Sequence, residues 1–278
     1  DCILCGNGAA DLIYRLCDVL APERGLVCAP TFSEYERSLE RFGCTVERHQ
    51  LNEQNGFAMT PEIEGSISEA TDVLFLCNPN NPTGRLISHS VLAGALNRAR
   101  QTGAAVVVDE CFLDFTDGIS CKGYLESMPN LVIIKAFTKL YAMAGLRLGY
   151  LLCSDSELLE KLRAAAPFWS VSVPAQIAGV AALSCGGWIE KTRELVSGER
   201  AYMSKSLSEL GLNVFPSDVN YILLRCNLPL YEPLLQKGVL IRSCANFYGL
   251  NETYYRVAVK TREENNRLIQ AVREIVNC

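Results

Sequence analysis

Four short apolar runs punctuate the first half of the chain: Gly25–Ala29, Asp72–Cys77, Ala104–Asp109 and Leu131–Ala136. Each is nearly continuous in apolar residues rather than alternating, and turn residues bound each one. That pattern predicts strands buried on both faces, as in a parallel sheet. Segments with helical spacing lie between them, among them Ser33–Arg41 and Ser88–Gln101, the second with Ser88 placed as its cap. The βαβα order predicts an α/β fold: a mostly parallel sheet with helices on both faces.

After about Tyr150 the pattern changes. Helical spacing dominates from Asp155 to Leu210, and Trp188–Leu210 reads as one long helix. Short strands follow at Asn213–Phe215, Tyr221–Arg225, Val239–Ser243 and Tyr254–Val259, then a helix from Thr261. We expect a large domain over residues 1–185 and a smaller α+β domain over 186–278, a division that suits a chain of 278 residues.

Composition narrows the function. A net charge of −5 lacks the basic surplus of a nucleic-acid binder. No apolar run reaches the roughly 18 residues of a membrane span, and no secretory signal opens the chain. The 13 cysteines are scattered, many of them inside apolar runs, which predicts small core residues in a reducing cytoplasm. Cys2 and Cys5 form a C-x-x-C without a second pair. The two histidines, His49 and His89, both read as exposed and have no partner at ligand spacing. No metal site is expected. No G-x-S-x-G elbow occurs.

Chemistry is suggested by four features that fall at strand ends or helix starts. Lys139 follows the run Leu131–Ala136, with Thr138 before it and Arg147 eight residues on. Asp109 ends the run Ala104–Asp109. Asn81 lies in Asn78-Pro79-Asn80-Asn81-Pro82-Thr83-Gly84, after another strand. Gly6-Asn7-Gly8-Ala9-Ala10-Asp11 precedes a helix. Each alone reads as a loop charge, a strand-end cap or a turn. Together they sit where open α/β sheets bind ligands. A reactive amine, a buried carboxylate and phosphate donors are what pyridoxal phosphate requires.

The order and spacing of these motifs resemble the fold-type I pyridoxal-phosphate enzymes of the class I/II aminotransferase superfamily. The resemblance covers essentially the whole chain and implies an aspartate aminotransferase-like fold. It implies that Lys139 carries the cofactor as a Schiff base and that Asp109 pairs with the pyridine nitrogen. Asn81 would contact the phenolic oxygen, and also the substrate. Gly8, Ala9, Thr138 and Arg147 would hold the phosphate, and Phe32 would stack on the ring. Phe112 stands where many aminotransferases carry a tyrosine that contacts the cofactor. Ala136 stands where a hydroxyl residue often meets the phosphate. Arg256, in Tyr254-Tyr255-Arg256-Val257, matches the superfamily's carboxylate-binding arginine.

Within the superfamily, the segment Val239–Leu250 with Arg242, the segment Asp109–Phe115, and Trp169-Ser170-Val171 are similar to threonine-phosphate decarboxylases of cobalamin biosynthesis. Histidinol-phosphate aminotransferases are their near relatives. Both imply a small phosphorylated amino-acid substrate, with Arg242 on its phosphate and Arg256 on its carboxylate, and a homodimer in the cytoplasm. Decarboxylation of L-threonine O-phosphate is the leading expectation. Transamination of histidinol phosphate or a related amino acid is the second, and a cofactor-binding module without turnover the third. The chain opens at Asp1 almost directly on the Gly6–Gly8 loop, so we expect native residues upstream.

Overall fold

The computed structural model describes residues 2–277. In chain order the first part contains β1 (Ile3–Gly6), α1 (Ala9–Leu20), β2 (Arg24–Ala29), α2 (Glu34–Arg41), β3 (Thr45–Gln50), α3 (Ile63–Ser66), β4 (Val73–Cys77), α4 (His89–Thr102), β5 (Ala105–Asp109), β6 (Leu131–Ala136) and β7 (Gly149–Cys153). Helices α5 (Ser156–Ala164), α6 (Val173–Leu183) and α7 (Trp188–Glu209) follow. Then come β8 (Asn213–Val214), β9 (Tyr221–Arg225), α8 (Tyr231–Gln236), β10 (Arg242–Ser243), β11 (Tyr254–Ala258) and α9 (Arg262–Val276).

The first seven strands form one sheet in the order β1-β7-β6-β5-β4-β2-β3, and the last four form a second in the order β10-β11-β9-β8. Within the large sheet β2, β3, β4, β5 and β6 run parallel, and β7 lies antiparallel between β1 and β6. The aspartate aminotransferase-like α/β fold expected from the sequence is therefore present. β4 and β5 are almost wholly buried, because helices cover both faces of the sheet. Leu12, Leu16, Tyr35 and Leu39 pack on one face, and Ile63, Leu92 and Leu96 on the other.

Local chemistry sets the element ends. Ser88 accepts a hydrogen bond from the Val91 N–H and caps α4. Thr261 and Glu264 form a reciprocal capping box at α9. Eight of the described cysteines are buried, Cys77 and Cys153 among them, in the role of small core residues. Cys2 and Cys5 are both exposed, and among the described residues no cluster suited to a metal occurs.

Three readings need correction. The expected strand Val239–Ser243 pairs only at Arg242 and Ser243, because Val239–Ile241 lead into the ladder rather than joining it. β3, with the sequence Thr-Val-Glu-Arg-His-Gln, is an edge strand whose polar residues hid it. His49 is half-buried rather than exposed, and its Nδ1 lies 2.8 Å from Ser66 Oγ.

Candidate active site

The sheet brings the separate motifs to one edge. Asp109 is level with Cys77 on β4 and Ile134 on β6, and Ala136 is level with Gly149 on β7, which in turn pairs with Gly6 on β1. The carboxyl ends of β1, β4, β5 and β6 therefore open onto one cavity. Its walls include Ala9, Phe32, Asn81, Asp109, Phe112, Thr138, Lys139 and Arg147, all singled out from the sequence. Gly8 adjoins it: a Cβ there would lie 2.6 Å from Arg147 Nη2, and its φ of 82° is one that side chains disfavour.

Asp109 sits at the bottom, buried. One carboxylate oxygen accepts from the Cys111 N–H at 2.9 Å and the other from the Tyr35 hydroxyl at 2.6 Å. Among the described residues no cation forms an ion pair with it. A buried carboxylate without a countercharge is costly, and the protonated ring nitrogen of pyridoxal phosphate would supply that charge. Around the carboxylate, burial and the nearby negative charge push the Tyr35 phenol and the Cys111 thiol well above their usual ranges. All three groups keep fixed roles: one acceptor, two neutral neighbours.

At the other end, α1 begins at Ala9 with Gly8 as its N-cap and no side-chain cap. The first N–H groups of a helix need an acceptor, and the helix dipole favours an anion there. Arg147 stands beside Gly8 with its own backbone at φ 60°, a strained conformation for a residue with a side chain. Buried Thr138 adds a hydroxyl to the cavity wall. Gly149 lets the strand pass beneath, since a Cβ there would be 2.7 Å from the backbone of Gly8 and Ala9. The donor set suits a phosphate, and the residues fit the cofactor at both ends.

The turn after β4 is locked in place, and of its three asparagines Asn81 lines the cavity. Asn78 accepts from the Ile87 N–H. Asn80 donates to Pro30 O and Thr83 Oγ1 and accepts from Thr31. Asn81 faces the cavity and accepts from Arg256. The second sheet is tied to the same turn: Tyr221 donates to Asn80 O at 2.9 Å, and the Leu86 N–H donates to Asp218.

A cleft of about 560 Å³ opens beside the cavity, sharing Phe112 and Lys139 with it. Arg242 and Arg256 line it. They are direct partners across β10 and β11. Lys139 Nζ lies 5.3 Å from the Phe112 ring centre, and Tyr221 packs edge-on against Phe112 at 5.0 Å. Phe112 is thus held as an apolar wall, where a tyrosine would have offered a hydroxyl.

Every residue chosen from the sequence is thus brought to this cavity or the adjoining cleft. Tyr35 and Asn246 were missed. Asn246 accepts from Arg242 at 2.8 Å. Tyr35 lies inside the Pro30–Tyr35 motif, but its partner is 74 residues away. That link exists only once α2 packs on the sheet.

A lysine without an ion pair among the described residues beyond a parallel sheet, a buried carboxylate in the same cavity and an uncapped helix start are the features of a fold-type I pyridoxal-phosphate enzyme. The chain belongs to the aminotransferase class I and II family, whose model matches residues 1–272. It is a pyridoxal-phosphate-dependent enzyme. It is similar to the threonine-phosphate decarboxylase of Salmonella typhimurium, at 37% identity over 99% of this chain and 77% of the relative. Among solved structures it is similar to the histidinol-phosphate aminotransferase of Clostridium acetobutylicum. There the TM-score is 0.92 and the identity 30%, covering 99% of this chain and 84% of that one. The L-threonine-O-3-phosphate decarboxylase of Porphyromonas gingivalis matches at a TM-score of 0.88 and 26% identity, over 100% and 84% of the two chains.

Proposed function

We propose that the protein decarboxylates L-threonine O-phosphate to aminopropanol phosphate for cobalamin assembly. One observation carries this reading. Arg242 and Arg256 stand directly opposite each other on antiparallel strands, and among the described residues neither forms an ion pair. Like charges in that position repel. A substrate with two anionic groups relieves the repulsion. Threonine phosphate carries both a carboxylate and a phosphate, whereas histidinol phosphate carries only the phosphate.

In this reading Lys139 holds the cofactor covalently, Asp109 keeps its ring nitrogen protonated, and Asn81 donates to its phenolic oxygen. Gly8, Ala9, Thr138 and Arg147 bind its phosphate, and Phe32 covers its ring. Bound pyridoxal phosphate supplies an electron sink for the bond broken at Cα. Arg256 forks onto the substrate carboxylate and Arg242 holds its phosphate, which together fix the bond turned toward the sink. The carboxylate leaves as CO₂, and Lys139 is placed to return a proton to Cα.

A homodimer is supported by α6, which is apolar on its exposed side but for Gln176. Small Ala175, Gly179 and Ala182 face inward, while Val173, Ile177, Val180 and Leu183 are exposed beside Phe168 and Trp169. Such a patch needs a cover. The division into domains at about residue 185 is supported by the two separate sheets. Among the described residues no helix is long and apolar enough to cross a membrane. The unpaired cysteines suit the cytoplasm.

Incubating holoenzyme with L-threonine O-phosphate tests the assignment. CO₂ and aminopropanol phosphate are expected in equal amounts, and Arg242→Gln should raise KM roughly 10- to 100-fold for it. Transfer of the amino group to a keto acid without CO₂ would establish the aminotransferase reading instead, which the similarity to the Clostridium enzyme favours.

A further inference from the structure

We propose that Tyr35 is a positioning residue for the cofactor: its hydroxyl holds the Asp109 carboxylate ionised, and so keeps the proton on the cofactor's ring nitrogen. The inference rests on the assignment of Asp109 to that nitrogen. Tyr35 donates to Asp109 Oδ2 at 2.6 Å, and both groups are buried. A donor to a carboxylate stabilises its charged form. When a carboxylate and a ring nitrogen share one proton, that donor shifts the proton toward nitrogen.

The ring of Tyr35 is not free to turn. It is stacked on Phe75 at 5.1 Å and meets Phe32 edge-on at 5.5 Å. Phe32 lines the cofactor cavity from the same short segment. One stretch of chain thus carries both the ring cover and the device that sets the ring's charge. The nearby Cys77 thiol donates to Pro79 O at 3.4 Å, so it does not compete for the carboxylate.

The other groups facing the carboxylate leave this role to Tyr35. Cys111 gives its backbone N–H, and its thiol, kept protonated by burial and the nearby carboxylate, is a weaker donor on the same group. Lys139 lines the cavity and Tyr221 the adjoining cleft, and among the described residues neither has a hydrogen bond to Asp109. Glu110, next in sequence, points away to Ser120 and Lys135. Tyr35 is the hydroxyl donor that Asp109 has among the described residues.

Tyr35→Phe keeps the packed ring and removes only the hydroxyl. In holoenzyme it should bind pyridoxal phosphate roughly tenfold more weakly, about 1.4 kcal/mol, and shift the pH dependence of the bound cofactor's absorbance. With 1-deazapyridoxal phosphate, which lacks the ring nitrogen, the same variant and wild type should bind alike. Equal affinity and equal spectra for the natural cofactor would overturn the proposal, as would an equal loss for both cofactors, which would mark a packing effect. If Y35F does not fold, Tyr35→His, which keeps a ring donor, decides. Affinity within about threefold of wild type is expected, and a loss of tenfold or more in folded Y35H contradicts it. Wild-type protein that takes up no cofactor would instead sink the Asp109 assignment itself.

Discussion

Arg256 donates a hydrogen bond to the side-chain oxygen of Asn81, joining a strand of the small sheet to the cofactor-facing turn of the large one across 175 residues of sequence. The guanidinium also lies over the Tyr221 ring at 4.9 Å. Two contacts hold it ready before any ligand arrives. Asn81→Ala should therefore loosen Arg256 and lower kcat/KM about five- to tenfold, the cost of one hydrogen bond to a charged group. Arg256→Lys keeps the charge but loses the planar fork, and should raise KM roughly 10- to 100-fold with little change in folding. Steady-state kinetics beside a thermal melt would check both. An unchanged KM in the lysine variant would remove Arg256 from the substrate site.

Asp109 leads to a test with two signs. Its carboxylate has no paired cation among the described residues, so in the apoprotein only hydrogen bonds, which an amide oxygen can also accept, offset the cost of burying the charge. Asp109→Asn should leave the apoprotein as stable as wild type, or slightly more so. The holoenzyme should lose cofactor affinity by a factor of roughly 10² to 4 × 10³, the cost of breaking a buried pair of about 3–5 kcal/mol. Melting curves with and without pyridoxal phosphate separate the two states. A drop confined to the apoprotein would argue for a purely structural carboxylate.

His49 provides a pH signature away from the site. Burial lowers its pKa below the ordinary imidazole value, with Glu62 acting weakly in the other direction. The folded state thus prefers the neutral ring. Stability from this group is fully present above about pH 6.5 and is lost as pH falls through the lower folded value. Denaturant titrations between pH 7 and pH 5 should show that decline, and His49→Gln should flatten it. A slope identical in both proteins would assign the decline to other groups.

Gly149 tests the proposed phosphate end. Its missing side chain leaves room for the Gly8–Ala9 backbone, 2.7 Å from where a Cβ would sit. Gly149→Ala should cost about 1–3 kcal/mol through overpacking and should weaken cofactor binding by displacing the start of α1. Calorimetry and a cofactor titration measure the two effects. Full stability with normal binding would show that this approach is looser than the geometry implies.

The sequence made the central strands and the site plain for related reasons. β4, β5 and β6 are buried on both faces, so their composition alone marks them. The site residues sit at the ends of those strands, where the motifs fall in recognisable order. The misses share a cause too. β3 is an edge strand and carries charge, and β10 is two residues long. Neither has a periodicity to read. Tyr35 and Asn246 act through partners that only the folded chain supplies, and His49 is half-buried by Ser66 from a separate helix. Burial of a polar residue on a polar strand leaves no trace in local pattern.

Lys139 is the residue on which the account depends most, and Lys135, four positions earlier, is its natural rival. Lys135 is bound to Asp114 at 2.9 Å and lies 3.9 Å from Glu110, which occupies its amine. Lys139 forms no ion pair among the described residues and opens onto both the cavity and the cleft. Reducing the holoenzyme with borohydride fixes the cofactor to its lysine, and peptide mass spectrometry then finds it. We expect the phosphopyridoxyl group on Lys139. Its appearance on Lys135, or on no lysine at all, would contradict the account.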